Sequence, residues 1–90
     1  MQEMNREHSL SLENRRQLHL TCVTDVDSFD EREILLYTKL GELTIAGREL
    51  QIRSFSLETG DMLVEGDIWM LQYGDKDKYN VLSLLGKLFR

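Results

Sequence analysis

The chain has 90 residues, 41% of them apolar and 30% charged, and a net charge of −5 at pH 7. By length and composition it is one folded domain and not a disordered segment. Its negative charge argues against the clustered basic surface of a general nucleic-acid binder. A chain this short buries only about 60% of its unfolded surface, so its core is modest and self-association is an available source of stability.

Met1 to His8 is polar and aperiodic, and is expected to be an N-terminal tail (1–8) ahead of a β domain (9–74). It lacks the apolar core of a signal peptide. No run approaches the ~20 apolar residues of a membrane span, so a cytoplasmic location is expected. The one cysteine excludes an intrachain disulfide and suits a reducing compartment. With no proline in the chain, turns must come from Gly, Asn, Asp and Ser.

Residues 9–13 alternate as a strand does, and Asn14-Arg15-Arg16 is a turn. Residues 17–23 read as a second strand, with Leu18, Leu20 and Cys22 on one face and His19, Thr21 and Val23 on the other. Residues 24–32 are acidic and read as a connecting loop pinned by Val26 and Phe29. Residues 33–39 are apolar on both faces, as in a central strand. Gly41-Glu42 then turns the chain into Leu43-Thr44-Ile45. Past Gly47-Arg48, residues 49–53 alternate, and 54–58 continue in the opposite phase. A bulge near Arg53-Ser54 reconciles the two phases. Thr59-Gly60-Asp61 is the next turn, and residues 62–73 form one long strand or two broken at Gly66.

A polar break follows Tyr73, and the period then changes within 75–90. Val81, Leu82, Leu85, Leu88 and Phe89 share one helical face. Asn80 suits the cap, and Lys87 and Arg90 suit the negative end of the helix dipole.

Two stretches nineteen residues apart share one pattern: Gly41-Glu42-Leu43-Thr44-Ile45-Ala46-Gly47 and Gly60-Asp61-Met62-Leu63-Val64-Glu65-Gly66. Residues 17–22 echo them more weakly, with Cys22 where the others have glycine. The expected fold is therefore mainly β, built from three hairpin-like units and a short C-terminal helix. A small antiparallel meander, a two-layer sheet and a short β-solenoid all satisfy the pattern.

No residue set suggests catalysis or a cofactor. An EF-hand begun at Asp25 would need Gly at its sixth position and Glu at its twelfth, where Asp30 and Leu36 stand. The acids Asp25, Asp27, Asp30 and Glu31 read as a solvated loop, with a cation- or ligand-binding module as the alternative. Two histidines and one cysteine have no zinc spacing. Cys22 reads as a small, buried, inert thiol, and His19 as an exposed strand residue. Arg15-Arg16 reads as a solvated turn, or as a grip on a phosphate or an acidic partner. The terminal segment covers the domain's own sheet, a partner or a membrane surface. The interface candidates are Trp69 and Tyr73 as aromatic anchors, with Leu82, Leu85, Leu88 and Phe89.

The chain resembles the YabP/YqfC family of sporulation proteins in order along nearly its whole length. The residues that carry the likeness are Asn5-Arg6-Glu7-His8, Leu12-Glu13-Asn14-Arg15 and above all Leu20-Thr21-Cys22-Val23-Thr24-Asp25-Val26-Asp27-Ser28-Phe29-Asp30-Glu31. Further on they are Thr38-Lys39-Leu40-Gly41-Glu42-Leu43-Thr44-Ile45, Gly47-Arg48 and Leu57-Glu58-Thr59-Gly60. Cys22 departs from the pattern, where glycine is expected. The resemblance implies a small non-enzymatic factor of the mother cell in endospore formation, tied to cortex or coat assembly. It also implies the membrane protein YabQ as a neighbour in function. The small core, the open-ended sheet of the repeats and the apolar terminal helix add the expectation of a homo-oligomer that docks on another sporulation protein at the forespore membrane. The resemblance supplies no catalytic residue and no cofactor.

Overall fold

The computed structural model describes residues 7–74. Six strands follow one another: β1 (Leu10–Glu13), β2 (Gln17–Leu20), β3 (Val23–Phe29), β4 (Glu33–Thr38), β5 (Gly41–Phe55) and β6 (Met62–Gly74). They form one sheet in the order β1-β2-β6-β5-β4-β3. Every neighbouring pair is antiparallel. A solenoid stacks its coils in parallel, so that alternative is overturned, and β3 to β6 run as a meander. The C-terminal helix expected over 80–90 lies outside the described residues.

The two long strands organise the sheet. The first half of β5 lies between β4 and β6, whereas Gln51–Phe55 pairs with β6 alone. The first residues of β6 lie between β5 and β2, whereas Met70 to Gly74 pair with β5 alone. Three register shifts separate these halves, at Ala46/Gly47, Arg48/Gln51 and Ile52/Ser54. The last is the bulge expected near Arg53-Ser54. Each shift adds an unmatched residue and bends the ribbon. Leu18, Leu20, Met62 and Val64 from one half and Ile34, Leu36, Leu43 and Ile45 from the other join a single buried cluster. The open sheet therefore folds over its own core.

Glycine makes the bend possible. A Cβ on Gly47 would sit 1.9 Å from the Asp67 carbonyl oxygen. One on Gly66, at φ 143°, would sit 2.7 Å from the Glu49 carbonyl oxygen. The closing glycines of the two repeats thus let β5 and β6 press backbone on backbone where they bend. The alternation expected to run through 54–58 stops at Phe55, where β5 ends, and Leu57 lies exposed in the turn before β6.

Two readings from the sequence need correction. Residues 17–23 are not one strand: β2 stops at Leu20, and Cys22 takes a φ of 58°. That kink turns Val23 into the core, the face opposite to the expected one. Residues 24–32 are not a loop, because β3 runs through Phe29. Shifts between Val23/Asp25 and Val26/Ser28 leave Thr24 and Asp27 unmatched by β4. Apolar residues three apart therefore keep to one face, a spacing that masks a strand. Charged and bulged, β3 is a protected sheet edge.

Candidate interaction surface

Three exposed large apolar side chains near one another belong to β6 and β1. Between Ala46↔Met70 and Gly47↔Ile68 the ladder leaves Trp69 without a partner. The bulge ends the phase that buries Met62, Val64 and Ile68, and turns Trp69 and Met70 outward together. Trp69 is 57% exposed and Met70 39%. Leu12, opposite Leu18 on the sheet margin, is 36% exposed. Leu12, Arg15, Ile68, Trp69, Met70 and Leu71 line one open hollow between β1 and the far half of β6.

Arginines frame this apolar ground. The Arg48 guanidinium lies 5.4 Å from the centre of the Trp69 ring, within cation–π range. The Arg15 Nε donates to the Ile68 carbonyl at 3.2 Å, and the Ile68 amide donates to the Arg15 carbonyl at 2.9 Å. Asn14 and Arg15 both have positive φ, 53° and 55°, as a tight hairpin turn of the mirror-image type requires. The turn at residues 14–16 is thus clamped to the β6 backbone. Asp67, opposite Arg48 in the ladder, bonds Arg16 instead. Among the described residues, Arg15 and Arg48 have no carboxylate in ion-pair contact.

Tyr73 plays another part than its neighbour. Its side chain is half-buried against the core, and its hydroxyl bonds the His8 Nε2. The two rings meet edge to face at 5.6 Å and 86°. The His8 Nδ1 donates to the Thr21 carbonyl at 2.7 Å. A carbonyl only accepts, so Nδ1 carries a hydrogen, and the Tyr73 hydroxyl, which can donate or accept, pairs with Nε2. Ser9 and Thr21 add reciprocal bonds of 2.8 and 3.0 Å. His8 therefore ties the start of β1 to the end of β6. Burial raises the Tyr73 phenol above its ordinary pKa of 10.0.

The opposite margin of the sheet is acidic. Along the chain, Asp25, Asp27, Asp30, Glu31 and Glu33 accompany one arginine, Arg32. Asp30 accepts from the amides of Arg32 and Glu33 at 2.7 and 2.9 Å, and so shapes the turn after β3. Phe29, on the face of Ile34 but past the edge of the core, is 65% exposed. It was expected as a buried pin. Asp27 first, then partial burial and Glu42, raise the Tyr37 phenol above 10.0. Among the described residues no three acids, histidines or cysteines gather as a metal ion requires. No helix there is long and apolar enough to cross a membrane.

Of the interface candidates, Trp69 stands on the surface, and Tyr73 is engaged with His8. Leu82, Leu85, Leu88 and Phe89 lie outside the described residues. Sequence reasoning missed Leu12, Met70, Arg48 and Phe29. The both-face apolar run at 68–71 was a signal for Met70, since no sheet position can bury both faces at a margin.

A family model described as the YabP family matches residues 4–80. Among curated proteins, "Spore protein YabP" of Bacillus subtilis (strain 168) is 33% identical over 89 residues. The match covers 93% of this chain and 85% of that protein.

Proposed function

The chain belongs to the YabP family of sporulation proteins, and on that premise we propose that it acts without catalysis, as a structural or adaptor protein of endospore formation. In this reading it serves cortex or coat assembly through self-association and contact with other sporulation proteins. It works in the mother cell, at the forespore membrane, where the membrane protein YabQ is one expected neighbour. The observation that carries the reading is Trp69, held outward by a bulge in β6 and flanked by Leu12, Met70 and Arg48. An exposed tryptophan beside arginine is the composition of a contact hot spot.

The test is a fluorescent fusion followed in sporulating cells. The unaltered protein is expected to collect around the forespore, and Trp69→Ala to disperse while keeping its β spectrum. Deleting residues 82–90, which removes Leu82, Leu85, Leu88 and Phe89, is expected to leave a soluble fold and abolish recruitment. Normal placement and normal spore yield with both changes would refute the reading.

A further inference from the structure

One strand edge lies open beside the Trp69 hollow. The Gly47 amide donates to the Arg32 carbonyl, so Gly47, Ile45 and Leu43 turn their backbone groups to β4. Those of Ala46, Thr44 and Glu42 then turn to β6, opposite Met70, Gln72 and Gly74. The amides and carbonyls of Leu71 and Tyr73 therefore point away from β5, and no partner among the described residues bonds them. Past the Trp69 bulge, Met70 to Gly74 carry no charge and no further register shift. Edges are ordinarily blunted by charge or bulges, as β3 is, and a plain apolar edge is a template for another strand. The charge beside this edge is unanswered as well. Arg15 lines the hollow and Arg48 lies over Trp69, while among the described residues the ion pairs are Arg16–Asp67 and Arg53–Glu65. The chain's own residues beyond Gly74 bring Lys76, Lys78, Lys87 and Arg90 against Asp75 and Asp77, a balance of the wrong sign.

We propose that the free edge of β6 takes an extended acidic segment of another protein as an added strand, with an apolar side chain in the Trp69 hollow and carboxylates on Arg15 and Arg48. The inference rests on the reading of this chain as a protein-contact element, and names the kind of partner and its mode of contact. Backbone bonds to Leu71 and Tyr73 give affinity for an extended segment, and the side chains that alternate along it give selectivity. The hollow between Leu12 and Trp69 holds the apolar one. A guanidinium grips a carboxylate through two parallel bonds, so Arg15 and Arg48 favour acids over amides. The net charge of −5 opposes an acidic partner at a distance. Screening over about 8 Å at physiological ionic strength removes most of that opposition and leaves the two arginines to decide at contact.

Trp69 is the chain's one tryptophan, so its emission reports on the hollow directly. The probe is a short capped peptide alternating glutamate with valine, titrated into the full chain. Trp69 emission is expected to move to the blue and saturate. The amide hydrogens of Leu71 and Tyr73 are expected to exchange more slowly with peptide bound, and that of Gln72, already turned to β5, to change little. The same peptide with lysine for glutamate is expected not to bind, and neither is one with a central proline, which lacks a donor and cannot continue a strand. Arg15→Glu with Arg48→Glu is expected to weaken the acidic peptide roughly tenfold or more, the scale of one or two lost charge-assisted contacts. That variant is also expected to accept the lysine peptide, a reversal that an unfolded chain could not show.

Several outcomes overturn the proposal: no saturable binding at millimolar peptide, equal binding of the lysine or proline peptide, or unchanged exchange at Leu71 and Tyr73. So does a Trp69 already blue in the dilute free chain that turns red on deleting residues 82–90, because the chain's own segment then fills the hollow. A blue shift that follows protein concentration without peptide gives the hollow to a second copy, and overturns the proposal equally. The broader functional reading fails separately. If the acidic peptide does not bind and Trp69→Ala still disperses the fusion in cells, contact with another protein stands and strand addition falls.

Discussion

Cys22 occupies a left-handed backbone position at a φ of 58°, where an L side chain costs roughly 1–2 kcal/mol. Glycine would remove that strain but lose more chain entropy on folding. We expect Cys22→Gly to raise stability by up to ~1 kcal/mol, read as a higher urea midpoint with an unchanged slope. A lower midpoint would show that the thiol's packing outweighs the backbone strain. The two tyrosines give a second test at this scale. Both phenols are held above 10.0 in the folded state, Tyr37 chiefly by Asp27 and Tyr73 by burial. A raised folded value favours the neutral phenol. Its contribution is complete below pH 10 and lost as the pH climbs through the folded value, so the protein loses stability in strong alkali. Ultraviolet titration is expected to show both ionising late, and Asp27→Asn to bring only Tyr37 back towards its ordinary value. If Asp27→Asn moves neither, the acidic margin does not act on that ring.

At the scale of the element, β5 and β6 decide the architecture, and their glycines decide how closely they approach. Gly47→Ala would push a methyl into the Asp67 carbonyl, at 1.9 Å before relaxation. Backbone cannot swing aside as a side chain can, so the cost is expected at the top of the ~1–3 kcal/mol range for overpacking, or beyond. Thermal melting checks it: a loss under half a kilocalorie would mean that the bend has slack. Gly47 and Gly66 were legible as the closing residues of two repeats, though not as a contact between the strands. The bulge near Ser54 was legible too, because two alternating runs were out of phase. β3 was not, because its apolar residues recur every third position and only bulges at Thr24 and Asp27 turn that spacing into one face. The same limit applied to the site. Trp69 was legible as an aromatic in a strand apolar on both faces. Arg48 was not, because its place over the indole depends on a cross-strand register that no local pattern encodes.

At the scale of the molecule, the question is whether the two halves of the bent sheet stand or fall together. Leu18 belongs to β2 and Ile34 to β4, on opposite sides of the long hairpin, yet both are fully buried in one cluster. One shared core of this size predicts a single cooperative transition. Leu18→Ala and Ile34→Ala are each expected to cost ~2–5 kcal/mol, a large share of the ~5–15 kcal/mol typical of a whole domain. Trp69 emission and far-ultraviolet circular dichroism should follow one curve in both variants. Trp69 lies on β6 beside β1, and Ile34 two strands away on β4, so the second variant sets the lesion and the reporter on different strands. If Ile34→Ala melts the dichroism of β3 and β4 while the tryptophan signal holds, the sheet is two units joined by a hinge. If the signals coincide, the glycine bend joins one core, and the exposed ends of the sheet are carried on a rigid body.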